Sequence, residues 1–248
     1  MTAGRTTLGS RKWAATTRGE LSLRDRLAFA RDAVVGQLSA LTGPRARAAG
    51  VAGREPPDTP LVRDVVALAE SAYPRALFEH CLRCWWWGSI LSTMDELAVD
   101  DELLYVSCLL HDFALTERYR VGEAHCFAVH GGDIAFATLA GYGAPTAFAE
   151  RAAEAVTAHM NVRVSSGLGP EAVALQAAAH LDVGGTRARE LPRAAIERVV
   201  ARHPRDGFTA CFLDLMRTEA AQRPHSRAAV LWRLGMRLPA SVNPLDRR

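Results

Sequence analysis

Four residues spread along the chain form a donor set: His80, the adjacent pair His111 and Asp112, and Asp182. Two imidazoles and two carboxylates suit a divalent transition ion, neutralise its charge and leave coordination positions for water and substrate. His80 shares a helical face with Leu77 and Cys84, and His111-Asp112 close the apolar run LLYVSCLL. Asp182 closes a second apolar stretch, AVALQAAAHLD, just before Val183-Gly184-Gly185. Burial and a helix C-terminus both disfavour a carboxylate, so Asp112 and Asp182 each ask for a neighbouring cation. The chemistry open to such a centre is activation of water by a bound metal.

The elements that must position these residues read as helices nearly throughout. Ser22 and Asp25 form a capping-box-like start for a helix with Leu23, Leu27, Val34, Val35 and Leu38 on its apolar side, ending near Gly43. Thr59-Pro60 opens the next, Pro74 opens a third running through His80 and three tryptophans to about Thr93, and Asp100 caps a fourth. Further helices are expected from about Ala124 to Ala140, Pro145 to Met160, Pro170 to Val183, Arg193 to Arg202, Phe208 to Gln222 and Ser226 to Met236. No stretch alternates as a strand would, and no repeat is visible. The fold class expected is all-α: an irregular helical bundle forming one domain over residues 21–238. Residues 1–20 and 239–248 are expected to be loose ends, and the Gly-, Pro- and Arg-rich stretch from Gly43 to Pro60 a loop or linker.

With 248 residues, 49% of them hydrophobic, the chain can bury a substantial core. No apolar run reaches the roughly 18 to 20 residues of a membrane span, and the N-terminus lacks a hydrophobic signal core, so a cytoplasmic location away from membranes is expected. Thirty basic against 27 acidic residues give a net charge of only +3, which lacks the electrostatic footprint of a nucleic-acid binder. Lys12 is the only lysine, so arginine clusters reflect composition before function. The five cysteines are odd in number and sit within helical patterns, which points to buried free thiols in a reducing compartment. Cys81 and Cys84 have no second Cys-x-x-Cys to complete a zinc knuckle.

Three stretches carry a family resemblance. His80-Cys81-Leu82-Arg83-Cys84-Trp85-Trp86-Trp87-Gly88 has the shape H-S-x-R-x-Y-x-x-G. Cys108-Leu109-Leu110-His111-Asp112-Phe113-Ala114-Leu115-Thr116 looks like C-L-L-H-D-x-G-L-T, and Leu181-Asp182-Val183-Gly184-Gly185 looks like M-D-V-x-G. Together they resemble the HD superfamily of metal-dependent hydrolases, most closely its cyanamide-hydratase-like subgroup, loosely from Leu21 to Arg223. The resemblance implies an HD-type helical scaffold on which His80, His111, Asp112 and Asp182 ligate one divalent transition ion, zinc or iron. It also implies water attack on a nitrile-like or amide-like carbon, with His159 or Asp112 moving the proton. The chain departs from the subgroup at Ala128 and His130, where acids are usual, and at Ala114, where glycine is usual.

Other residues admit more than one role. Trp85, Trp86 and Trp87 point about 100° apart, so core packing is the common role, with Trp86 expected to line the substrate cavity and another tryptophan to cover a subunit interface of a homo-oligomer. Phe113 and His130 are expected beside substrate, His130 alternatively serving a second metal with His159. His180, His203 and His225 read as core histidines, and Arg118-Tyr119-Arg120 as a solvated loop. The leading function is hydration or hydrolysis of a small nitrogenous molecule. Its competitors are a phosphate-ester phosphohydrolase, favoured if arginines converge on the metal, a diiron oxygenase, and a catalytically silent scaffold.

Overall fold

The computed structural model describes residues 7–42 and 52–246, and among them the chain is all-α, with twelve α-helices and no strand. In chain order these are α1 (Arg11–Thr17), α2 (Leu23–Thr42), α3 (Pro60–Ala72), α4 (Arg75–Met94), α5 (Asp101–Leu110), α6 (Phe127–Gly141), α7 (Thr146–Ala158), α8 (Pro170–Gly184), α9 (Arg193–Arg202), α10 (Phe208–Gln222), α11 (Arg227–Arg233) and α12 (Arg237–Ser241). Among the described residues no helix is long and apolar enough to cross a membrane. The side-chain oxygens of Thr59, Asp100 and Ser226 each accept from a backbone N–H one turn on, which starts α3, α5 and α11 where orphan donors would otherwise be exposed.

Helix α4 is the axis of the bundle. It packs against α8, α5 and α10 and is buried nearly all round from Leu77 to Ser92, as a helix apolar on every face must be. That settles its three tryptophans, which are all buried in different directions. Trp85 Nε1 donates to the Arg54 carbonyl at 3.1 Å, Trp87 Nε1 to Asp182, and the Trp86 ring lies beneath the Arg202 guanidinium. A Cβ on Gly53 would stand 2.6 Å from the Trp86 ring, so only glycine lets the chain cross this indole. Helices α6 and α7 touch just as closely, because a Cβ on Gly132 would meet Thr157 Oγ1 at 2.1 Å.

Residues 43–51 of the expected loop or linker lie outside the described residues; residues 52–59 have no regular secondary structure, as a loop should, and are pinned, the Arg54 guanidinium bonding Asp101, Ser92, Thr93 and the Ser89 carbonyl. Two expectations change. The described parts of the ends, residues 7–20 and 239–246, carry packed structure where loose segments were expected. Trp13 of α1 is buried under the Arg227 guanidinium, Asn161 Nδ2 donates to the Leu8 carbonyl, and α12 with Asn243 and Leu245 packs on the body. Helix α2 lies at the periphery against α11 and turns Phe29 and Ala33 inward, leaving Leu23 and Leu27 each 66% exposed, along with Val34 and Val35. Its apolar residues occupy both sides, so periodicity pointed to the wrong one.

Candidate metal centre and its cavity

All four residues of the donor set converge in the interior, brought there by α4, the end of α5 and the end of α8. Helix α5 is buried from Leu103 to Leu110, and it stops at His111 and Asp112 before a 3₁₀ turn over Phe113–Leu115. Tyr73 Oη donates to the Leu109 carbonyl at 2.9 Å, satisfying an orphan acceptor of that helix end.

Hydrogen bonds on the far side of each ring set which nitrogen faces the centre. His111 Nδ1–H donates to the Cys108 carbonyl at 2.7 Å, and His80 Nδ1–H donates to Asp182 Oδ2 at 2.7 Å. Both rings therefore present an unprotonated Nε2, and the two Nε2 atoms stand 3.2 Å apart. Asp112 Oδ2 lies 3.6 Å from His80 Nε2 and 3.4 Å from His111 Nε2, and it is buried with no hydrogen-bond partner. Three lone-pair donors thus face one another with no N–H or O–H donor between them, only the weakly donating Cys84 thiol standing 3.7 Å from His80 Nε2, an arrangement that repels itself until a cation sits among them. Corners of a tetrahedron with bonds of about 2.0–2.2 Å lie about 3.3–3.6 Å apart, so the spacing fits a first-row transition ion. Burial lowers the His111 pKa, despite the opposing pull of Asp112, and keeps the ring neutral, as a ligand must be.

Asp182 stands behind His80, where its oxygens are fully engaged. Oδ1 accepts from Arg83 Nε and Trp87 Nε1, both at 2.8 Å, and pairs with Arg205 at 3.0 Å. Oδ2 accepts from Arg83 at 2.9 Å as well as from His80. Burial alone would raise this carboxyl, but the Arg83 and Arg205 guanidiniums and the His80 hydrogen bond reverse that and hold it well below the usual carboxylate range. Where a ligand was expected, the geometry is that of a carboxylate orienting a ligating histidine, since no free lone pair of Asp182 faces the centre. Arg205 and Asn243 also donate to the Asp182 carbonyl, each at 2.8 Å, so the C-terminal segment helps to hold this helix end.

His159, at the end of α7, is the fourth imidazole or acid at the centre. Its Nδ1–H donates to the Val156 carbonyl at 2.6 Å, leaving an unprotonated Nε2 at 3.8 Å from Asp112 Oδ1. Burial, then the nearby His111, push its pKa well below the ordinary histidine value. Phe127 packs edge-on against the His159 ring, with ring centroids 5.5 Å apart.

A cavity of about 440 Å³ opens onto His80, His111, Asp112 and His159, and its remaining walls come from α2, α8, α10, α11 and α12. The expected substrate-side residues do not line it. Trp86 faces Gly53 and Arg202; Phe113, turned away from Asp112, packs edge-on against Tyr73 with ring centroids 4.8 Å apart; His130, a turn beyond Phe127, lies against Gly122. His180, expected in the core, lines the cavity instead, with Nδ1 at 3.3 Å from Gln176 Nε2, and burial takes its pKa down to about 4. Sequence reasoning missed Arg83 and Trp87 as partners of Asp182. The available signal was their spacing of three and seven residues from His80, which puts all three on one inward stripe of α4. No arginine or lysine among the described residues lines the cavity.

No known family profile matches the chain. Two proteins of Saccharomyces cerevisiae, cyanamide hydratase DDI2 and cyanamide hydratase DDI3, are each 25% identical to it over 183 residues, spanning 71% of this chain and 80% of theirs. The chain is a distant homologue of these hydratases.

Proposed function

We propose that the protein is a metal-dependent hydratase of the HD type, in which His80, His111 and Asp112 hold one divalent transition ion, zinc or iron, and the substrate is a small uncharged nitrile-like or amide-like molecule such as cyanamide. The observation that carries this reading is the trio of converging lone pairs, with Asp112 Oδ2 buried and unpartnered. A divalent ion bound there supplies Lewis acidity and lowers the pKa of a coordinated water toward about 7.

The chain's own residues do the rest. Asp182 fixes the His80 ring, and Arg83, Trp87 and Arg205 fix Asp182. His159 Nε2, unprotonated and held in place by Val156, accepts a proton from the attacking water and returns it to the nitrogen that the attack makes basic. Asp112 Oδ1, 3.8 Å from His159 Nε2, steadies the charge that His159 acquires.

Two features of the site weigh against the competing readings. Arg83 and Arg205 point at Asp182 from behind and leave the cavity without a cationic group to receive a phosphate, which disfavours a phosphohydrolase. Phe127 offers no ligand beside His159, which disfavours a two-iron centre. The test is metal content with turnover. Purified protein is expected to hold one transition ion per chain and to convert cyanamide or another nitrile to the hydrated product. His159→Gln is expected to keep the ion while kcat falls by about 10²–10⁴-fold. Loss of half the metal in that variant would replace this reading with a two-metal one, and metal-free, inactive wild-type protein would overturn it.

A further inference from the structure

The cavity is far larger than the chemistry at its floor requires. At about 440 Å³ it would hold about fifteen waters at their liquid volume of roughly 30 Å³ each. The H₂N–C≡N skeleton of cyanamide would displace only one or two of these. The rest would remain against walls drawn from Met160, Val162, Phe212, Leu231, Met236 and Val242, where water gains few hydrogen bonds.

Of the polar groups on those walls, Gln37, Thr186, Gln176 and His180, the last two are occupied with each other. Gln176 Nε2 donates to the Val162 carbonyl at 3.0 Å and lies 3.3 Å from His180 Nδ1, and a further hydrogen bond ties His180 to the His159 backbone. Among the described residues, Asp112, His80, His111, His159 and His180 are the ionisable groups that line the space, and burial keeps His180 neutral above about pH 4. The volume is within the roughly 300–1,000 Å³ of sites that enclose organic ligands in largely apolar surroundings.

Resting on the hydratase reading above, we infer that the substrate is an uncharged nitrile bearing an apolar body, an aryl or medium-length alkyl group, which fills the outer cavity while its nitrile carbon lies at the His80–His111–Asp112 floor. The reaction is R–C≡N + H₂O → R–C(=O)NH₂. The water oxygen bonds to the nitrile carbon as one C–N π bond opens, and proton transfers through His159 and tautomerisation leave both water protons on nitrogen. No oxidant or further reactant is needed.

Two measurements on the metal-loaded, full-length protein separate this inference from the reading beneath it. In the first, cyanamide, propionitrile, butyronitrile and phenylacetonitrile are compared by kcat/KM, which is expected to rise about fourfold per added buried methylene until the cavity is full. In the second, toluene, which cannot react, is expected to raise the melting temperature. Leu231→Trp, or Ala179→Phe from α8, is expected to cancel the toluene effect and to lower kcat/KM for phenylacetonitrile at least tenfold relative to propionitrile. If cyanamide is the best substrate, activity falls with chain length and toluene has no effect, the inference is overturned and the hydratase reading stands. If no nitrile reacts but toluene stabilises the protein and either substitution cancels this, the apolar receptacle is upheld and the hydration reading fails. If neither nitrile nor toluene has any effect, both are overturned.

Discussion

The two sides of the His80 ring present opposite solutions to burying charge. Behind it, Asp182 accepts from His80, Arg83 and Trp87 and pairs with Arg205, so that its charge is compensated and its lone pairs are used. In front, Asp112 is equally buried, yet its Oδ2 has no hydrogen-bond partner and faces two imidazole lone pairs. A carboxylate whose lone pairs are all used is scaffold, whereas one missing a cation is a site. The difference teaches that burial alone does not separate a ligand from a supporting residue; the accounting of lone pairs does.

Substitutions on the two sides should therefore differ in kind. The largest stability effect belongs to the back: Asp182→Ala leaves Arg83 and Arg205 without this counter-charge and is expected to cost about 3–5 kcal/mol in a denaturant titration of metal-free protein. A cost below about 1 kcal/mol would break the comparison, because it would mean that the guanidiniums do not depend on Asp182. A smaller effect is expected for Trp87→Phe, which removes one charge-assisted donor but keeps Arg83; the same titration should show a loss of about 1.5–3 kcal/mol. If Trp87→Phe cost as much as Asp182→Ala, the indole, not the paired arginines, would be the main support.

The helices were legible because their ends are written in local chemistry. Asp100 caps and Thr59-Pro60 opens a helix as expected, and the expected bounds of α9 and α10 match the structure. The inward face of α2 was not legible: Leu23, Leu27, Val34 and Val35 outnumber Phe29 and Ala33, and which side is covered depends on where α11 lies. Likewise, His80, His111, Asp112 and Asp182 could be picked out as a set, since paired donors at the ends of apolar stretches are rare. Their division into a front and a back could not, because it depends on Arg83 and Arg205, two among arginines that supply every basic charge except Lys12. The cavity walls were hidden for a related reason. Small and apolar residues from five helices become a wall only once those helices pack.

The most direct test of the central claim is a metal titration of Asp112→Asn beside the wild type, with the melting temperature of each metal-free protein measured in parallel. The account predicts that affinity falls by at least a hundredfold while the metal-free variant melts at the same temperature as the wild type or higher, because the amide relieves the repulsion among three facing lone pairs. Unchanged metal affinity, or a metal-free Asp112→Asn protein that fails to fold, would contradict it.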